Sequence, residues 1–227
     1  MNPSMNNAII VALDVPTLDE ARSLNELLGD AVGGVKVGLE LYSAHGPDAV
    51  RAMGARRVFL DLKLHDIPNT VASAVRALKP LGVELLTVHT LGGRAMLEAA
   101  NDAKREEKIL GVTILTSLGD DELKELGLPP AAEAVPMLAE LAFAAGCDGV
   151  ICAPTDIEAV RAVTPNDFLV VTPGVRPAGA GRDDQARTLT PGEAIRKGAN
   201  RLVVGRPITK AEDPRVAALK IAEEIRP

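Results

Sequence analysis

The chain has 227 residues, enough for one large core or two small ones. It has no Trp, one Tyr and three Phe, so its core must be aliphatic; its net charge of −6, with both signs interspersed, argues against nonspecific nucleic-acid binding and an anionic membrane surface. No apolar run reaches membrane-spanning length and MNPSMNNAIIVALD lacks a basic region before its short apolar run, which reads as a soluble, unexported, cytoplasmic protein.

Eight β-rich runs alternate with helical patterns. Ala8–Asp14 ends in an aspartate and is followed by TLDEARSLNELL, whose Thr17 and Glu20 form a capping-box pattern. Gly34–Gly38 sets Lys36 between valines, where it must snorkel or meet a counter-charge. Arg57–Lys63 runs into DLKLHDIPNT, which crowds two aspartates, a lysine and a histidine between Asp61 and Asp66. A helical pattern, NTVASAVRALKPLG, follows. Val83–His89 precedes the helical GGRAMLEAANDAKREE, and Ile109–Leu115 ends in LTS, with Thr116 and Ser117 at the rim. Beside Asp148–Ala153, Cys147 and Cys152 have opposite strand parity, so they read as buried structural thiols rather than a disulfide. Phe168–Thr172 leads into a long aperiodic loop, Pro173 to Thr188, with hinge glycines and the polar Arg176, Arg182 and Gln185. The helical PGEAIRKGAN and the run Arg201–Gly205 close the series, ending VVGRPIT.

The runs are continuously apolar, as strands buried on both faces are. Eight strand–helix repeats in this length predict a (β/α)8 TIM barrel, class α/β, as one domain over residues 1–227. An open doubly wound sheet would usually show a Gly-rich fingerprint after its first strand, and LDVPT is not one. The active site of such a barrel lies at the strands' carboxyl ends. There, Asp61 and Lys63 share a face as residues i and i+2, and with Lys36 and Asp66 they can form an alternating tetrad. A structural salt-bridge network is the other reading of these charges. Thr116 and Ser117 suit sugar hydroxyls or a base edge. Gly205 and Arg206, with Arg176 and Gln185 nearby, suit a phosphate. The three histidines offer no metal-ligand spacing, and His65, opposite in parity to Lys63, reads as structural.

Together these residues resemble the orotidine 5′-phosphate decarboxylase family. DLKLHDIPNT matches its signature throughout, and LD, KVG, LTS, PGVR, DDQ and GR follow the family's order at Leu13–Asp14, Lys36–Gly38, Leu115–Ser117, Pro173–Arg176, Asp183–Gln185 and Gly205–Arg206. The resemblance implies a barrel that acts as a homodimer and converts orotidine 5′-phosphate to UMP, the last step of de novo pyrimidine nucleotide synthesis, with no metal or organic cofactor. It implies Lys63 as proton donor to C6, Asp61 beside the substrate carboxylate, and Lys36 and Asp66 completing the tetrad and holding the ribose. Asp66 and Thr70 would come from the partner subunit. Asp14 would bind a ribose hydroxyl, and Ser117, next to Thr116, the pyrimidine amide. Gln185, Gly205 and Arg206 would hold the phosphate, with Pro173 and Arg176 at the start of a closing loop over about residues 173–188. A Mg-dependent keto-sugar-phosphate decarboxylase of the same barrel group is the main alternative; it would need an acid where Lys36 stands. A phosphate-ligand sensor and a Schiff-base aldolase using Lys63 are further options.

Overall fold

The computed structural model describes residues 8–54, 57–176 and 189–225. Eight parallel strands close on themselves in chain order: β1 (Ile9–Ala12), β2 (Gly34–Val37), β3 (Val58–Leu64), β4 (Leu85–His89), β5 (Lys108–Val112), β6 (Gly149–Ile151), β7 (Leu169–Pro173) and β8 (Arg201–Val204). The circle closes where β1 pairs with β8, Ile10 opposite Val203. After β1 comes α1 (Leu18–Leu28); after β2, α2 (Leu39–His45) and α3 (Asp48–Arg51); after β3, α4 (Pro68–Leu78); after β4, α5 (Arg94–Ala103). After β5 come α6 (Asp120–Glu125) and α7 (Ala131–Ala144); after β6, α8 (Ile157–Val163); after β7, α9 (Pro191–Arg196); after β8, α10 (Arg206–Thr209) and α11 (Pro214–Glu224). This is the predicted TIM barrel, and each predicted run contributes a strand.

Alternation along each strand divides the core in two. Ile10, Ala12, Phe59, Leu85, Leu110, Val112, Ile151, Val171 and Val203 fill the barrel. Val11, Val35, Leu60, Leu86, Val150, Val170 and Leu202 belong to the outer layer, packed with the helices. Apart from Phe59, aliphatic side chains fill the interior, which fits the scarcity of aromatics.

Local chemistry sets several boundaries. The Thr17 hydroxyl accepts the Glu20 N–H at 3.2 Å, so that half of the predicted capping box forms. Thr190 and Glu193 form a full box at the start of α9, which the sequence reading did not anticipate. At the amino-terminal side of the barrel, Arg161 ties α8 to the residues leading into β7 and β8: its guanidinium donates to the carbonyls of Phe168 and Gly198 and to Asn200 Oδ1. β5 ends at Val112, short of the predicted Leu115. Beyond it both the backbone N–H (3.1 Å) and the hydroxyl (2.8 Å) of Thr113 donate to Ile151 O, and Thr116 and Ser117 stand in the following loop. Both cysteines are free and buried; burial pushes the Cys147 thiol up to about 11 and Cys152 up to about 12, as inert structural thiols require. Among the described residues, no helix is long and apolar enough to cross a membrane.

Candidate active site

The inner faces of β2 and β3 carry the charges. Lys36, buried inside the barrel mouth, places its Nζ 2.9 Å from Asp14 Oδ1 and 3.8 Å from Asp61 Oδ2. Lys63 Nζ donates to the same Asp61 Oδ2 at 2.7 Å. The other Asp61 oxygen, Oδ1, accepts the Thr87 hydroxyl at 2.9 Å. Charges therefore alternate in space in the order Asp14, Lys36, Asp61, Lys63. Each ion has an opposite neighbour, which is the condition for holding it out of water without a prohibitive desolvation cost. Lys36 thus meets the counter-charges its sequence position demanded. Gly38 makes room for this: a Cβ there would lie 2.6 Å from Lys36 Nζ and 3.0 Å from Asp14 Oδ1. In the sequence Gly38 stands out only as the last residue of KVG.

The convergence of Asp61 and Lys63 does not come from simple strand alternation. β3 and β4 pair Leu60 with Leu86 and then Leu64 with Val88, so Asp61, Leu62 and Lys63 bulge opposite Thr87 alone. Lys63 takes φ = +50°, the only positive φ at a non-glycine among the described residues. This left-handed backbone costs on the order of 1–2 kcal/mol. The bulge interrupts strand alternation before His65, which lies beyond β3. The His65 ring stacks on His89, with centroids 5.2 Å apart and planes 21° apart.

His89 is pushed down to about 4 by burial first, then by His65 and the Lys63 ammonium. A histidine that titrates lower in the folded chain than in the unfolded one stabilises the fold above the unfolded value, near 6.5, and loses that contribution as pH falls through about 4. After discounting for partial exposure, the effect should be on the order of 1 kcal/mol. Urea unfolding of His89→Asn should lose less stability between pH 6.5 and 4 than the parent chain does, and equal losses would contradict this coupling.

The charges open on a cavity of about 170 Å³, lined also by Val112, Ile114, Thr116, Ile151, Pro173 and Val203. One wall can thus bind polar groups while the aliphatic wall excludes water. Ser117 lines an adjoining cavity with Thr116, Asp120 and Asp156. Asp66 does not join the array within its own chain. It is exposed, its Oδ1 accepts the Ile67 N–H at 2.6 Å, and among the described residues it makes no ion pair. Within this chain Asp14 is the fourth member of the array. Thr70 is exposed on the first turn of α4. Arg176 is half-buried, its N–H donating to Leu189 O at 3.0 Å, which brings β7 and the residues before α9 together. Gly205 precedes α10, and Arg206 is exposed at its first position. Gln185 and most of the predicted closing loop, residues 177–188, lie outside the described residues.

A parallel barrel with an alternating charge array, its Lys36 and Asp61 buried, and a part-apolar cavity at the carboxyl ends of its strands has the architecture of a TIM-barrel enzyme. Sequence comparison makes this class specific. The chain belongs to the Orotidine 5'-phosphate decarboxylase / HUMPS family, whose model matches residues 7–221. It is 52% identical over 230 residues to an orotidine 5'-phosphate decarboxylase from Moorella thermoacetica, covering 96% of this chain and 91% of that one. A protein of the same name from Trichlorobacter lovleyi is 51% identical, with 96% and 95% covered. The crystal structure of orotidine 5'-phosphate decarboxylase from Lactobacillus acidophilus superposes with a TM-score of 0.84 at 40% identity, covering 96% of this chain and 99% of the other.

Proposed function

We propose that this chain decarboxylates orotidine 5′-phosphate to UMP without a metal or organic cofactor. The observation that carries the mechanism is the Lys63 ammonium, 2.7 Å from Asp61 at the edge of an apolar cavity. When the bond from C6 to the carboxylate breaks, CO2 leaves and the electron pair stays on C6. A fixed positive charge in a water-poor site stabilises that developing charge, and preorganisation of this kind is often the largest catalytic term. Lys63 then passes a proton to C6, and the amine regains one from solvent. Lys36 and Asp14 are suited to the ribose, Thr116 and Ser117 to the base, and Gly205, Arg206, Gln185 and Arg176 to the phosphate. The Lys36 ammonium between two carboxylates disfavours the Mg-dependent alternative, because it stands where that reading needs an acidic ligand. With its ammonium donating to Asp61, Lys63 is a poor Schiff-base nucleophile. Purified protein in EDTA should consume orotidine 5′-phosphate and yield equimolar UMP; failure to form UMP would remove this reading.

The proposal includes a cytoplasmic homodimer in which Asp66 and Thr70 complete the partner's site. The outward Asp66, with Ile67 beside it 66% exposed, supports this. Lys63→Ala and Asp66→Ala subunits should then complement each other when dissociated and mixed. A mixed dimer has one doubly defective site and one intact site. Random mixing makes about half the dimers mixed, so activity should recover to about a quarter of the parent level. Differentially tagged mixed dimers that stay inactive would assign Asp66 to the site of its own chain.

A further inference from the structure

We infer that Thr87 is a positioning residue for the decarboxylation, acting through Asp61 and Lys63 without touching the substrate. This rests on the proposed activity. Thr87 is fully buried on the inner face of β4, and it is the one residue of that strand opposite the three bulged residues of β3. Its single hydroxyl serves both ends of the bulge. It accepts the Lys63 backbone N–H at 2.8 Å and donates to Asp61 Oδ1 at 2.9 Å.

These two bonds do different things. The first anchors Lys63 at φ = +50°, a backbone state a lysine does not hold without support from its surroundings. The second occupies one Asp61 oxygen and leaves the other, Oδ2, facing Lys63 Nζ and Lys36 Nζ. A hydroxyl is suited to this place because it donates and accepts at once. Valine has nearly the same shape but can do neither. It would leave a buried N–H and a carboxylate oxygen without partners, free to find new geometry. Serine keeps both bonds and loses only a methyl group.

The expected consequence is a loss in kcat rather than in KM, because Thr87 does not line the cavity and its hydroxyl reaches the site only through Lys63 and Asp61. Losing a bond to a charged group corresponds to about a 10- to 100-fold fall in kcat for Thr87→Val, with KM within about threefold of the parent value. Thr87→Ser should keep kcat within about threefold. Thr87→Ala, which also lacks the hydroxyl, should fall as Thr87→Val does, and serves if the valine variant does not fold. Circular dichroism and cooperative thermal unfolding establish that each assayed variant is folded. A folded Thr87→Val or Thr87→Ala enzyme with parental kcat would overturn the inference. So would Thr87→Ser losing as much kcat as the variants without a hydroxyl, since the methyl packing would then matter rather than the two hydrogen bonds. A parent protein inactive on orotidine 5′-phosphate is a separate outcome: it removes the proposed activity and this inference with it, whereas an active parent with indifferent Thr87 variants removes this inference alone.

Discussion

Lys63→Ala is expected to lower kcat/KM for orotidine 5′-phosphate by about 4 kcal/mol or more, roughly a thousandfold at least. The substitution removes the positive field at C6 and the proton source together. No described neighbour replaces either. Lys36 Nζ is engaged with Asp14 at 2.9 Å and reaches the Asp61 oxygen that Lys63 holds at 2.7 Å only from 3.8 Å. The fold should survive, because Asp61 keeps the Thr87 hydroxyl and the more distant Lys36. Near-parental circular dichroism with lost turnover is therefore the expected pair of results. Near-parental turnover would exclude Lys63 as the acid.

Arg206→Ala should lower kcat/KM by about 2–4 kcal/mol, roughly 30- to 1,000-fold, because a phosphate dianion loses a charge-assisted fork of donors. Arg206 opens α10 just after β8, the part of a barrel where phosphate is commonly bound. Steady-state assays with orotidine 5′-phosphate and with its phosphate-free nucleoside separate binding from folding. The nucleoside reaction should change little. An equal loss on both substrates would mean that Arg206 acts on the fold or on the base site instead.

The barrel was legible in the sequence because its strands are buried on both faces and are therefore written as uninterrupted Val, Ile and Leu runs. The charges at the strand ends were legible for the opposite reason: Lys36 in GVKV and Asp61 and Lys63 in DLKL interrupt such runs. Four features were not. The bulge at Lys63 depends on the register between β3 and β4, which no local pattern in DLKLHD announces. Thr87 is a lone threonine in LLTVH, an ordinary strand residue until its hydroxyl is seen to bridge the bulge. Gly38 matters through the space it leaves for a pair formed by Lys36 and Asp14, from two different strand ends. The outward position of Asp66 was likewise beyond strand parity, since the chain has already left β3 and is turning toward Pro68.

The proposed chemistry requires the Lys63 amine to exchange a proton with C6. By microscopic reversibility, the amine that delivers this proton can also remove it from bound UMP. Proton NMR of UMP in D2O, with enzyme and a saturating nucleotide concentration, would follow the C6 hydrogen directly. The parent enzyme should exchange it for deuterium faster than the protein-free rate, and Lys63→Ala should show only the protein-free rate. Exchange by Lys63→Ala as fast as by the parent would show that Lys63 is not the group that protonates C6.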